Sequence, residues 1–414
     1  MTTRIRAGII APGLWSGGAE QWMYSLFRHC DPARVEWLGA AVLYEQHAGG
    51  PMRDVIARHV PVGAGPEAVD ALYAHADIVL IWGIASADQR IPPPPRSCRV
   101  VLVSHGMGHW TARVFDRPEQ ADALVGVSPA SISPMPPEVR DRTRIILNCY
   151  EPQRVIPTGQ REQLRASWGV RPGEKVVGYL GRISPEKNPE ALILMAAACP
   201  DVRGVFVGGG STDHLRQCAK VLGVADRIVF HGLVAMPGDV LAAFDWLLLP
   251  SHEEACSITL LEAWAAGTPA IATPVGVVTE HPELVRMVAT SPSGPQLATA
   301  LARDLINPAG VQARIEQARE VALATYSPSR FGGEWTDFFV DLAGTQAERP
   351  PLGNVFAALS SVKSDMMARA AACPNRSRRN WHAICRAGVG GIAPHHVVTA
   401  EDCCGCLERG GLPR

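Results

Sequence analysis

The chain is poor in charge and contains no long apolar segment. Charged residues make up 19% of its 414 residues and the net charge is −1, which gives no reason to expect nucleic acid or an anionic membrane as a partner. No apolar run approaches the ~20 residues of a membrane-spanning helix. The N-terminal residues also lack the apolar region of a signal peptide. We therefore expect a cytoplasmic protein with no transmembrane segment, whose only membrane association would be peripheral, at the inner face.

The glycine fingerprint of dinucleotide-binding proteins is absent as well. Gly13 is followed by Gly17 and Gly18, and Gly208 begins a run of three glycines, but neither group has the G-x-G-x-x-G spacing. The sequence therefore does not support a hydride-transfer enzyme.

The cysteines fall into two groups. Six of the 11 stand singly in apolar surroundings, as is typical of a reduced cytosolic protein, and the other five lie in the last 42 residues. Cys403-x-x-Cys406 is half of a zinc site, which Cys373 together with Cys385 or a histidine of the tail would complete. The tail, residues 350–414, is therefore predicted either to hold a structural zinc or to be a weakly ordered extension with incidental cysteines, and its spacing does not separate the two.

The rest of the chain alternates short apolar runs with helical segments, and this alternation restarts after a polar stretch at 151–173. Such a pattern predicts parallel sheets covered by helices, in one Rossmann-like domain at 1–150 and a second at 173–325. The predicted strands are Ile5–Ala11, Val35–Leu43, Ala76–Trp82, Val100–Ser104, Ala123–Val127, Arg144–Leu147, Val176–Gly181, Val202–Val207, Arg227–His231, Asp245–Pro250 and Pro269–Thr273.

Two carboxylates, Glu254 and Glu262, stand eight residues apart across the end of a buried strand and the start of a helix at 257–266. Open α/β folds bind ligands at the carboxyl edge of the sheet. The backbone N–H groups of Ser257, Ile258 and Thr259 would there point at an anion such as a diphosphate. The two carboxylates could accept hydrogen bonds from hydroxyls on either side of it. A nucleotide sugar has this shape.

This E-x7-E segment, with the L-L-E-A-x-A-x-G-x-P continuation from Leu260 to Pro269, resembles the donor site of retaining glycosyltransferases of the GT-B fold, family 4, also called glycosyl transferases group 1. The resemblance implies two Rossmann-like domains facing each other across a cleft, and a last helix, near 326–345, that returns to the first domain. It also assigns Glu254 to the hydroxyls of the donor sugar and Glu262 to the ribose.

Two cations follow the first strand of the second predicted domain, in Gly181-Arg182-Ile-Ser-Pro-Glu-Lys187. Arginine suits a diphosphate by its planar fork and lysine as a point charge. The chain has only four lysines against 35 arginines, so Lys187 is notable in a loop. The segment resembles the phosphate clamp of the family, in which Arg182 and Lys187 would neutralise the leaving nucleoside diphosphate.

Four further residues are assigned by the same resemblance. Gly17 and Gly18, within G-G-A-E after the first strand, would face the donor phosphate and the acceptor. His105, in Ser-His-Gly after a predicted central strand, matches a histidine close to the donor sugar. Leu233 resembles the segment whose backbone lies against the nucleobase.

The sequence thus predicts a retaining glycosyltransferase that uses a UDP- or GDP-sugar. The resemblance implies a front-face displacement, in which the leaving phosphate helps to deprotonate the acceptor and no residue acts as a covalent nucleophile. No Asp-x-Asp occurs, so we expect no metal cofactor in catalysis. The acceptor is open, a glycan or a lipid-linked sugar being examples. A GT-B nucleotide-sugar epimerase and a non-catalytic nucleotide-sugar-binding protein are the alternatives.

Overall fold

The computed structural model describes residues 4–15, 17–86, 88, 90–95, 97–106 and 112–344. Within them the chain divides into two compact units. The first unit contains the residues up to Glu151, the segment Glu253–Leu261 and the residues from Val321 onward. The second contains Pro152–His252 and Glu262–Glu320. Each unit is built on its own parallel sheet.

The sheet of the first unit has seven parallel strands within the described part of the chain, in the order β3-β2-β1-β4-β5-β6-β7. Their apolar side chains, such as those of Ile10, Val79 and Leu102, form the core beneath the covering helices. The strands are β1 (Ile5–Ala11), β2 (Val35–Val42), β3 (Val62–Ala64), β4 (Ile78–Trp82), β5 (Arg99–Ser104), β6 (Ala123–Gly126) and β7 (Thr143–Ile145).

The second unit has a six-stranded parallel sheet, counted over the described residues, in the order β10-β9-β8-β11-β12-β13. Val177, Phe206 and Leu248 are fully buried in its core, because a parallel sheet is covered on both faces. The strands are β8 (Lys175–Leu180), β9 (Val202–Val207), β10 (Ile228–Gly232), β11 (Trp246–Leu249), β12 (Ala270–Ala272) and β13 (Arg286–Met287).

Helices connect most of the strands in both units, and the last three described helices follow β13. The last described helix packs against the first one, where Trp335 meets Trp22 at 5.7 Å between ring centroids. The helices are α1 (Gly18–His29), α2 (Arg53–Ala57), α3 (Gly65–His75), α4 (Pro137–Arg140), α5 (Pro152–Val155), α6 (Arg161–Ser167), α7 (Glu190–Ala198), α8 (Asp213–Val221), α9 (Gly238–Ala243), α10 (Ile258–Ala266), α11 (Gly294–Leu305), α12 (Pro308–Thr325) and α13 (Pro328–Gly344).

In both sheets the strand order reverses at the first strand in sequence. In the first unit β1 lies between β2 and β4, and in the second β8 lies between β9 and β11. The connections on the two sides of such a point leave in opposite directions, which opens a crevice at the carboxyl ends of the strands. The segments of interest are therefore those that follow β1, β4, β8 and β11.

Candidate functional site

The loop that follows β8 holds Arg182 at the switch point of the second sheet. Its guanidinium is about half exposed and lies 2.9 Å from the carboxylate of Glu186. Ser184 donates a hydrogen bond to the same Glu186 oxygen at 2.6 Å. The loop then tightens through a 3-10 turn at Pro185–Lys187 and ends at Asn188, whose φ is +49°. Arg182 and Lys187, the predicted phosphate clamp, thus stand in one short loop, residues 181–188, which is called the clamp loop below.

Glu186 was not predicted from the sequence, although it stands between the two cations. Burial alone would raise the pKa of its carboxyl, but the hydrogen bond from Ser184 and the charges of Arg182 and Lys187 outweigh burial, and the pKa is lowered overall. Glu186 is therefore ionised at neutral pH. It partly neutralises the two cations and orients Arg182.

Backbone hydrogen bonds join the loops that follow neighbouring strands of the second sheet. Ile183 donates its N–H to the Gly209 carbonyl at 2.8 Å, and Gly208 donates to the Gly232 carbonyl at 2.8 Å. Gly208 has φ +143°, and a Cβ there would lie 1.9 Å from the Gly181 carbonyl oxygen. The glycine run after β9 therefore serves close packing against the loop of Arg182.

The loop of Lys187 is also joined to the residues that follow β11. The Asn188 side-chain amide donates to the Pro250 carbonyl at 3.2 Å. His252 donates its backbone N–H to the Glu186 carbonyl at 2.8 Å. In the second unit the clamp loop therefore lies beside the start of the segment that leads into Glu254.

Helix α10 follows this segment, as the sequence predicted, and starts one residue later than expected. Leu260 and Leu261 both donate to the Ser257 carbonyl at 3.1 Å, so the amides of Ser257, Ile258 and Thr259 precede the first intrahelical hydrogen bond. The helix ends before Gly267, which has φ +78°.

The two glutamates differ in environment. Glu254 is partly exposed in the loop, whereas Glu262 is buried in the second turn of α10, with 2% of its surface exposed. Arg154, which was not predicted, donates from Nε to Glu262 Oε1 at 2.6 Å. No local pattern marks Arg154 in the sequence, since its partner is 108 positions away. The structure therefore places an ion pair at the carboxylate that was predicted to meet the ribose.

Leu233 lies in the loop after β10 and is 62% exposed. A Cβ added to Gly209 would meet its side chain at 3.4 Å, so Leu233 lies against the glycine run. An exposed apolar side chain at the carboxyl edge of the sheet is suited to the face of a flat ring.

In the first unit, Gly17 and Gly18 follow β1 at the switch point. Gly17 is extended and forms the N-cap of α1, which begins at Gly18. A Cβ at Gly17 would meet the Glu20 carboxylate at 2.8 Å. A side chain at Gly17 would therefore collide with the Glu20 carboxylate, which lies beside the start of α1.

His105 follows β5 and is packed between two tryptophans of the first unit. Its ring centroid lies 4.5 Å from that of Trp22 and 5.4 Å from that of Trp82. Burial lowers the pKa of His105 to about 3. The imidazole is therefore neutral at physiological pH, able to donate or accept a hydrogen bond but not to supply a positive charge.

This histidine makes the stability of the protein sensitive to pH. In the unfolded chain His105 binds a proton below its ordinary pKa of about 6.5, whereas in the folded protein it does so only near pH 3. The free energy of unfolding therefore falls as the pH drops through that window. Thermal unfolding should show a smaller loss of Tm between pH 7 and pH 5 in His105→Gln than in the unsubstituted chain. The difference corresponds to at most about 1.4 kcal/mol per pH unit. His75→Gln, at an exposed position of the same unit, should behave like the unsubstituted chain.

The candidate zinc ligands Cys373, Cys385, Cys403 and Cys406 lie outside the described residues. Among the helices that the structure describes, none has the length and apolar character needed to span a membrane.

Comparison with known proteins identifies the class. Residues 160–319 match the family model of glycosyl transferases group 1. This part of the chain is similar to that family, and the resemblance predicted from the E-x7-E segment is confirmed. The match contains the clamp loop, the glycine run and Glu254 with Glu262.

Two curated relatives share the name D-inositol 3-phosphate glycosyltransferase. The D-inositol 3-phosphate glycosyltransferase of Mycobacterium marinum is 30% identical over 220 residues, 50% of this chain and 44% of the relative. That of Mycolicibacterium gilvum is 38% identical over 128 residues, 28% of each. The chain thus matches less than half the length of these relatives.

Solved structures share the fold over most of the chain. Anabaena HepE in complex with UDP-glucose has a TM-score of 0.66 at 17% identity, covering 82% of this chain and 100% of that one. A glycosyltransferase from Rickettsia africae has a TM-score of 0.69 at 14% identity, covering 83% and 100%. At these identities the likeness concerns the fold alone. The predicted fold class, GT-B with two Rossmann-like domains, is confirmed.

Proposed function

We propose that the protein is a glycosyltransferase that moves a sugar from a nucleoside-diphosphate sugar to an acceptor with retention of anomeric configuration. The observation that carries the proposal is the clamp loop. Arg182 and Lys187 stand in an ordered loop at the switch point of a sheet whose domain is similar to glycosyl transferases group 1. Two cations at such a point suit a diphosphate.

In this proposal the residues that follow strands β8, β10 and β11 bind the leaving nucleotide. Arg182 and Lys187 neutralise the charge that develops on the diphosphate as the glycosidic bond breaks. The amides ahead of α10, those of Ser257, Ile258 and Thr259, donate to phosphate oxygens. Glu262 accepts from the ribose hydroxyls, and Leu233 packs beside the base. Glu254, in the loop, accepts from hydroxyls of the sugar.

Gly17 and Gly18, which carry no side chain, are proposed to present their backbone to the donor phosphate and the acceptor. The neutral His105 offers a hydrogen bond to a sugar hydroxyl. No residue is assigned as a covalent nucleophile. The acceptor oxygen forms a bond to the anomeric carbon on the face from which the diphosphate departs as the bond between the anomeric carbon and the diphosphate breaks. The departing phosphate accepts the proton of the acceptor hydroxyl, and reaction on the same face preserves the configuration.

The donor and acceptor are proposed as classes. HepE was crystallised with UDP and with UDP-glucose, which supports a UDP-sugar, and a GDP-sugar is the alternative donor. The relatives are named for transfer to D-inositol 3-phosphate, a phosphorylated polyol. For this chain we propose a hydroxylated acceptor, a glycan or a lipid-linked sugar being the classes to screen first.

A thermal-shift screen with UDP, GDP and ADP tests the proposal at its first step. Binding of one nucleotide stabilises the folded state, so one of the three should raise Tm in proportion to the logarithm of its concentration. The matching nucleotide sugars are then incubated with candidate acceptors. Release of nucleoside diphosphate with formation of a retained glycoside is expected. Binding without release would leave a non-catalytic nucleotide-sugar-binding protein, and interconversion of donor sugars would indicate an epimerase.

Turnover should not depend on a divalent metal, because the sequence has no Asp-x-Asp and the proposed phosphate ligands are side-chain cations and backbone amides. Initial rates are measured in EDTA and in added Mg²⁺ or Mn²⁺, and should agree within about twofold. Complete loss of turnover in EDTA that metal restores would contradict the expectation. Zinc analysis of the same preparation reports separately on the four tail cysteines.

A further inference from the structure

Arg154 links two parts of the second unit that the sequence does not connect. It lies in α5, the short helix with which the chain enters this unit. Its Nε donates to Glu262 Oε1 at 2.6 Å, and its Nη1 donates to the Ala235 carbonyl at 2.8 Å. Glu262 belongs to α10. Ala235 belongs to the loop after β10, which begins at Leu233. One guanidinium therefore joins the buried carboxylate to that loop.

The backbone that carries Arg154 is itself fixed in place. A Cβ at Gly238 would lie 2.7 Å from the Ile156 carbonyl oxygen, so the chain after α5 packs directly on the start of α9. The Asp239 carboxylate accepts from the backbone N–H and the hydroxyl of Thr158, each at 2.7 Å. The backbone that follows Arg154 is thus anchored to the start of α9.

The contact has a chemical consequence for Glu262. A carboxylate that is 3% exposed loses most of its hydration, and it stays ionised only if charge and hydrogen bonds compensate for that loss. Arg154, 27% exposed, supplies a charge and a directed N–H at Oε1. The arginine therefore holds one oxygen of the Glu262 carboxylate in place.

We infer that Arg154 is a positioning residue of the nucleotide site. It orients Glu262 toward the ribose hydroxyls and holds the Leu233–Ala235 loop beside Glu262. The inference rests on the proposed function, since it requires a ribonucleotide at this edge of the sheet. It assigns the discrimination between ribose and 2′-deoxyribose to the Arg154–Glu262 pair.

The experiment measures the affinity of UDP and 2′-deoxy-UDP by calorimetry, with GDP and 2′-deoxy-GDP as the probes if the unsubstituted chain prefers guanosine. The variants are Arg154→Met, Arg154→Lys and Glu262→Gln. Arg165→Met is the matched control, because Arg165 also bridges a carboxylate and a carbonyl in this unit: its Nη1 donates to Asp245 Oδ2 at 3.0 Å and to the Ala243 carbonyl at 2.9 Å. Tm is recorded for every variant.

The unsubstituted chain and Arg165→Met should prefer the ribonucleotide by about tenfold or more, the worth of a hydrogen bond to a charged group. Arg154→Met and Glu262→Gln should lose about tenfold for the ribonucleotide and less than about threefold for the deoxy form, so that the preference collapses. Arg154→Lys keeps the positive charge but not the planar guanidinium, so its preference for the ribonucleotide should lie between those of the unsubstituted chain and Arg154→Met.

Three other results would overturn the inference. Equal losses for both nucleotides in Arg154→Met would reduce Arg154 to a structural support of the loop. Tighter ribonucleotide binding in that variant would show that the arginine blocks the site. Retained discrimination in Arg154→Met would separate the arginine from ribose recognition. If the unsubstituted chain binds no nucleotide, the proposed function fails and this inference fails with it, which distinguishes the two.

Discussion

Replacing Arg182 or Lys187 with alanine is expected to abolish sugar transfer while the protein stays folded. Each variant should lose about a hundredfold to a thousandfold in turnover, because charge developing on the leaving diphosphate would lack a preorganised cation. Affinity for the nucleoside diphosphate should fall about tenfold or more, the worth of one charge-assisted hydrogen bond. Stability should change little, since Arg182 is 53% exposed and its ion pair with Glu186 is at the surface.

Calorimetry with the nucleoside diphosphate and initial-rate measurements test both effects. Arg161→Ala removes a similarly exposed, ion-paired arginine of the same unit and is the control for Arg182. Lys220→Ala removes an exposed lysine at the end of α8 and is the control for Lys187. Both controls should retain activity. Unchanged diphosphate affinity in Arg182→Ala and Lys187→Ala would show that the loop does not hold the phosphates.

The second large effect separates Glu254 from Glu262. Glu262→Gln should weaken both the nucleoside diphosphate and the intact donor by about tenfold, because both carry the ribose. Glu254→Gln should leave diphosphate affinity nearly unchanged and damage donor binding or turnover, because only the donor carries the sugar. Calorimetry with the diphosphate and with the nucleotide sugar gives the four affinities.

The structure dictates how this comparison is run. Glu262 is buried against Arg154, so Glu262→Gln also weakens an ion pair and should lower Tm. Affinities are therefore compared at a temperature well below the transition of the least stable variant. Glu253→Gln, at the exposed neighbouring position, is the control for Glu254→Gln and should bind and turn over normally. Equal losses of diphosphate affinity in Glu254→Gln and Glu262→Gln would refute the assignment of the two roles.

Much of the fold follows from local sequence pattern. The strands Ile5–Ala11 and Val202–Val207 form with the predicted bounds, because a parallel strand covered on both faces needs a continuous apolar run. The strand predicted at 245–250 is shorter, Trp246–Leu249, since Asp245 uses its carboxylate to accept from the Val176 N–H at 2.7 Å and Pro250 has no N–H to donate.

Other elements carry too little local information. The edge strands Val62–Ala64 and Arg286–Met287 are too short to show a period, and they form because a neighbouring strand offers them hydrogen bonds. The stretch at 151–173 is polar and was not predicted as helical, but it holds α5 and α6. Its polar residues contact the rest of the second unit, as the Arg165 hydrogen bond to Asp245 illustrates.

For the candidate site, the sequence alone determined the family resemblance, the parallel sheets and the placement of Arg182, Lys187, Glu254 and Glu262 after strands, because motif spacing and strand ends are local properties. Only the tertiary structure decided what those side chains touch. The packing of the loops after β8, β9 and β10 depends on glycines that let backbones approach. The pairing of Arg154 with Glu262 joins residues 108 positions apart. Contacts of this kind form between residues that are far apart in the sequence, so local sequence patterns do not predict them.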